Sequence, residues 1–134
     1  MKVGFDGGIK LEFHGAKVSS NGGLLAYRDL DYALGLFDSI SSVFHDNCTG
    51  RNIQHALPTL LRQSVYSRLA GYEDVNDAEQ LSVDPIMRAI TGKKDKGKQA
   101  ASANTMGRFE TYILTQQENL KNCQISMVIG FKKR

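Results

Sequence analysis

Five carboxylates, Glu73, Asp74, Asp77, Glu79 and Asp84, fall within the fifteen residues GYEDVNDAEQLSVDP at positions 71–85. Acids this dense can hold a divalent metal, act as general acids and bases, or cap helices. The spacing favours caps. Asn76 followed three residues later by Glu79 has the form of a capping box. Asp84-Pro85 is a second helix start, with proline at the first helical position, where its missing N–H would be unpaired anyway. Unpaired amides and the helix dipole favour each carboxylate near a helix N-terminus by about 0.3–1 kcal/mol. Asp77, Glu79 and Asp84 are so accounted for; Glu73 and Asp74, which follow a helix, are not. A metal site would draw on Glu73, Asp74 and Asp77. The stretch has no histidine, no glycine at a loop turn and no calcium-loop spacing, so no metal ligand and no catalytic residue is assigned.

Elsewhere the reactive residue types do not converge. Gly22-Gly23 precedes a helix but lacks the third glycine and the following lysine of a phosphate loop. His14, His45 and His55 have no Cys, Asp or Glu at metal-ligand spacing and read as surface or interface histidines. Ser64 and Ser67 have no neighbouring histidine to act as base. Cys48 and Cys123 are too few and too far apart for a zinc site or a disulfide framework, and are expected to be reduced, packed thiols.

The cations are unevenly placed. Net charge is +3, yet residues 92–134 hold nine basic side chains against three acidic ones, and residues 71–91 hold one against five. Such asymmetry suggests that the C-terminal third faces a polyanion. Lys93, Lys94, Lys96 and Lys98 lie in GKKDKGKQAASAN, 92–104, which reads as an exposed basic connector. From it they can reach DNA phosphates, giving affinity without sequence readout; simple solvation is the alternative. Arg108 falls near the start of the next helix, able to meet a base edge or a phosphate, or to pair with a nearby acid. These five residues are the candidate DNA-binding set.

The elements that must position them are mainly α. The expectation is a small helical domain with a short N-terminal β-hairpin. Val3, Phe5, Ile9, Leu11 and Phe13 alternate with polar residues around Asp6-Gly7-Gly8, predicting the hairpin over 2–14. Leu24, Tyr27, Leu30, Ala33, Leu34 and Phe37 predict a helix over 22–36, capped by Ser19, Ser20 or Asn21 and ended or weakened by Gly35. The best-patterned helix spans 55–70. Leu57, Leu60, Leu61, Val65 and Leu69 form its apolar stripe, with Arg62, Gln63 and Arg68 on its flanks and Gly71 as its cap. Short helices follow at 76–81 and 85–91, and a last one at 105–121, with Ser102 or Asn104 as its cap. Ile125 to Phe131 is a short β-like run. The division is a helical domain over 1–122 and a tail over 123–134. No apolar run reaches the roughly 20 residues needed to span a bilayer, and the N-terminus is no secretory signal; a cytoplasmic protein is expected.

Three stretches carry a resemblance: SSNGGLLAYRDLDYALGL at 19–36, HALPTLLRQSVYSRLAGYEDVNDAEQLSVDPIMRAITGKK at 55–94, and AASANTMGRFE at 100–110. They are similar to the N-terminal part of DDE transposases of bacterial insertion sequences, and most resemble insertion-sequence group thirteen-eighty. The family's run LLRQ-x-VY, then GYED-x-NDA-x-x-L-x-x-DP, then Thr-(Met/Leu)-x-Arg-Phe-Glu, is matched at Leu60 to Tyr66, Gly71 to Ala78, Leu81, Asp84-Pro85 and Thr105 to Glu110. The resemblance implies DNA transposition, with terminal inverted repeats as the DNA partner. It also implies three carboxylates holding two Mg²⁺ ions on an RNase H-like sheet for in-line attack on phosphate. In the family the first of those carboxylates lies several dozen residues past the Arg-Phe-Glu helix. The expectation is therefore a chain truncated before the catalytic carboxylates, with no cofactor of its own and no strand transfer or cleavage by itself. A homo-oligomer is compatible with this. The alternative is a small helical protein–protein interaction module with no DNA role; salt-dependent DNA binding would separate the two.

Overall fold

The computed structural model describes residues 20–44, 55–91 and 99–132. The described residues are mainly helical and contain no strand. The hairpin expected over 2–14 and the lysines of 93–98 lie outside them. In chain order the elements are α1 (Leu24–Leu34), α2 (Leu36–Ser41), α3 (Leu57–Leu69), a single 3₁₀ turn (Val75–Asp77), α4 (Ala78–Leu81), α5 (Pro85–Thr91), α6 (Ala103–Arg108), a π-helical segment (Phe109–Leu114) and α7 (Gln117–Lys132).

Local chemistry sets most of the boundaries. Gly35 takes a left-handed conformation at φ 61°, ending α1 and starting α2 in one step. The carboxylate of Asp31 then accepts from the Phe37 amide at 3.0 Å, satisfying an N-terminal donor of α2 that Gly35 has no side chain to meet. Pro58 lies in the first turn of α3, where a missing N–H costs nothing. At the other end Gly71, at φ 90°, completes a Schellman motif: its amide bonds the Arg68 carbonyl at 3.0 Å and the Tyr72 amide bonds that of Ser67 at 2.9 Å. Asp84 starts α5 as expected, its Oδ1 accepting from the amides of Ile86 at 2.9 Å and Met87 at 2.8 Å.

α3 is the organising element, with α2 and α5 packed against it and α1 packed on α5. Leu60, Leu61 and Tyr66 from α3 meet Leu24, Phe37, Ile40, Leu81, Met87, Ile90, Met106 and Phe109 in one core. Each large apolar side chain buried there contributes about 1.5–3 kcal/mol. Tyr66 and Phe37 meet edge to face, with centroids 5.5 Å apart.

Several expectations need correction. Arg62 and Gln63, placed on the flanks of the 55–70 helix, are among its most deeply buried residues, whereas Leu69 from its apolar stripe is half exposed. Of the stripe read for 22–36, Leu24 and Phe37 are buried as expected, but Tyr27 and Leu30 are half exposed and α1 buries Asp31 in their place. Asp31 has partners on α2 and α3, and these set the rotation of α1. Asn76 is not the cap of the next helix. Asp74 is, accepting from the Asn76 amide at 2.8 Å, and Glu79 reaches forward to the Ala103 amide at 3.3 Å rather than closing a capping box.

The connector expected to be exposed over 92–104 is buried at Ala100 and Ala101. Small side chains let this backbone enter the core, where the Ala100 amide bonds the Ser82 carbonyl at 3.0 Å. The single helix expected over 105–121 is broken by the π segment and by a turn at Thr115–Gln116, where buried Asn119 donates to the Ile113 carbonyl at 2.9 Å. Lastly, Ile125 to Phe131 is helical and not β-like, so α7 runs through 122/123 without a break. Once a helix is under way each added residue gains a hydrogen bond, whereas a strand there would find no described partner strand.

Candidate nucleic-acid interface

Most of the polar residues that could do chemistry are engaged in the scaffold. Asp74 and Asp84 cap helices, and Glu79 meets the first amide of α6. Arg62 crosses from α3 to the α1–α2 corner, its Nε donating to Asp31 at 3.1 Å and its Nη2 to Asp38 at 3.0 Å. Its guanidinium also lies over the Phe37 ring, 5.7 Å from the centroid. Burial works against its charge, but the bonds to the two carboxylates outweigh that and raise its pKa above the usual arginine value. Burial likewise drives the Tyr66 hydroxyl well above the ordinary tyrosine range, with Asp31 adding to the effect. Gln63, wholly buried, holds the backbone of Ala101 at both ends: its Nε2 donates to the Ala101 carbonyl at 2.7 Å and its Oε1 accepts from the Ala101 amide at 2.8 Å.

A second polar group links α3 to the π segment. Arg68 donates to both oxygens of Glu110, at 2.8 and 2.9 Å, and Ser64 donates to the same carboxylate at 2.7 Å. Ser67, Tyr72, Glu73, Asp74 and Met106 complete a shallow crevice around this group. The bond from Arg68, helped by Ser64, holds the Glu110 carboxyl below the usual glutamate range. A carboxylate with a depressed folded-state pKa contributes stability above its unfolded value, about 4.3, and loses it as pH falls through the folded value. Glu110→Gln is therefore expected to cost about 1 kcal/mol at neutral pH and almost nothing well below pH 4, read as the shift in urea midpoint at each pH. An equal cost at both pH values would show that the ionised carboxylate is not what matters.

Arg108 is different. It stands at the end of α6, exposed, and among the described residues it has neither the ion pair nor the hydrogen bond that the salt-bridge alternative requires. Sequence reasoning placed Arg68 and Glu110 separately and missed their pairing, which spans 42 positions. The other four members of the candidate set, Lys93, Lys94, Lys96 and Lys98, lie outside the described residues, between Thr91 at the end of α5 and the anchored Ala100–Ala101 segment.

The chain matches the family model of transposase DDE domain group 1 over residues 1–132. It belongs to that transposase family. No curated protein and no solved structure gives a match. For a DDE transposase the chemistry expected is that of Mg²⁺ held by several carboxylates. The described carboxylates of this transposase chain do not fit such a site. Asp31, Asp74, Asp84 and Glu110 are turned to amides or guanidinium groups, and no group of three or more His, Cys, Asp or Glu side chains among the described residues is arranged to hold a metal ion. No helix among the described residues is long and apolar enough to cross a membrane.

Proposed function

We propose that this chain is the helical, DNA-contacting part of a transposase of insertion-sequence group thirteen-eighty. It would bind the element's terminal inverted repeats through Lys93, Lys94, Lys96, Lys98 and Arg108, and perform no cleavage or joining by itself. Family membership supports a role in DNA transposition, and Arg108 carries the proposed contact. Of the two arginines in the matched motifs, Arg62 is held in the core by two carboxylates, while Arg108 points its charge to solvent with no described acid paired to it. The four lysines stand in the same basic third of the chain and supply phosphate contacts that hold the protein on DNA without reading bases.

Duplex binding measured across a salt series tests this reading. Replacing the four lysines together by alanine is expected to weaken binding alike for all sequences and to flatten the salt slope by about 0.9 for each phosphate no longer neutralised. Binding as tight as the parent's, with an unchanged slope, would show that the connector only joins α5 to α6.

A further inference from the structure

We infer that Asn104, Arg108 and Tyr112 form a single contact face for a DNA strand, with the Tyr112 ring as the platform on which an unpaired base stacks. This inference rests on the DNA-contacting role above and names the part of the DNA that this face takes. Four positions separate each member from the next, and the exposed residues of α6 and the π segment (Asn104, Arg108, Thr111 and Tyr112) follow this one stripe, while Met106 and Phe109 turn into the core. On a helix, neighbours at this spacing are about 6 Å apart. A π turn holds more residues than an α turn, which brings Tyr112 more nearly into line behind Arg108.

Three observations point to nucleic acid. Tyr112 is 67% exposed, the most exposed large apolar side chain among the described residues, and its ring has no aromatic or cationic partner among them. The stripe holds a cation and an amide but no carboxylate. The two acids beside it are engaged, Glu110 by Arg68 and Glu79 by the Ala103 amide. The backbone beneath Tyr112 is also fixed in advance: the carbonyls of Thr111, Tyr112 and Ile113 accept from the side chains of Thr115, Gln116 and Asn119. An exposed ring on an ordered backbone beside an exposed guanidinium suits a base face with its neighbouring phosphate, and little backbone entropy is lost on binding. In an intact duplex the base faces are stacked on one another and closed to a side chain. The platform therefore selects DNA whose stacking is interrupted.

The test compares the full chain, by fluorescence anisotropy, on a labelled duplex and on the same duplex carrying a run of unpaired thymines. The parent should prefer the interrupted DNA. Tyr112→Ala should weaken that binding about fivefold or more, leave duplex binding unchanged, and so abolish the preference. Tyr112→Phe, which keeps the ring, should behave as the parent. Arg108→Ala should weaken both substrates alike and flatten the salt slope by about 0.9. All three side chains are exposed, so circular dichroism of the variants should be unchanged. A Tyr112→Ala protein that keeps the preference would overturn the platform while leaving DNA binding intact. A change in sedimentation of that variant, with DNA binding unaltered, would assign the face to a protein partner and equally overturn it. Failure of the parent to bind either DNA would overturn the platform and the DNA-contacting role together.

Discussion

Arg62→Ala is expected to destabilise the protein by about 3–5 kcal/mol, a large share of the total stability of a small domain. The side chains of Arg62 and Asp31 are both 4% exposed, so truncating the arginine leaves a buried carboxylate that, among the described residues, has the Phe37 amide to meet it and no cation in the arginine's place. The α1–α2 corner would loosen, because the same carboxylate caps α2. Asp38 should matter much less, its side chain being half exposed, and Asp38→Asn should cost under about 1 kcal/mol. Urea unfolding of Arg62→Ala, Asp31→Asn and the double variant gives the coupling directly. If the pair is what the arginine serves, the double variant should be less destabilised than the sum of the two single ones. Additive losses would mean that Arg62 acts through its stacking on Phe37 and its packing instead.

Gln63→Leu should follow closely, at about 2–4 kcal/mol. Nothing polar is left for the Ala101 amide and carbonyl, both of which are buried, and each unmet group costs about 1–3 kcal/mol. The consequence reaches function as well as stability. Ala101 is anchored in the core just after the lysine-bearing stretch in sequence, and α6 with Arg108 begins two residues later. Releasing this anchor should raise hydrogen exchange across 99–108 more than across α5. Gln63→Glu separates the two bonds: its carboxylate can still accept from the Ala101 amide but cannot donate to the carbonyl when ionised. It should be destabilised at neutral pH and partly recover as the carboxyl protonates in acid. A stability loss independent of pH would show that shape at this position outweighs the paired hydrogen bonds.

The acidic stretch shows how far local reading reaches. Asp84-Pro85 was legible because a cap and its amides lie within three residues of each other, and the bonds to Ile86 and Met87 follow from that spacing. A two-residue difference misled at 74–79. Asp74 and Asn76 are both good caps, and only the extended backbone at Asp74, with the 3₁₀ turn after it, selects the first. Glu79 was legible as a helix-start acid but not as the partner of a different helix's start, 24 positions away. For the candidate interface, the basic character of the C-terminal third could be read directly, whereas Arg108, expected near a helix start, stands at the end of α6. Tyr112 could not, because an aromatic residue three positions after Phe109 fits an apolar stripe equally well. Its exposure follows from the π segment, which rotates the residues after Arg108 relative to a continuous α-helix.

The sequence by itself determined the helical class, the termini of α3 and α5, and the order of motifs that marks the transposase family. Those features act over three or four residues, through caps, proline, glycine and periodicity, and so they are written locally. Only the tertiary structure decided which polar residues go inside. Asp31, Arg62 and Gln63 look like surface residues in any window of sequence. Their burial is tolerable because partners 31 and 38 positions away meet their charges and hydrogen bonds. A buried polar group is costly until such a partner is in place, and that partner exists only once the helices have packed.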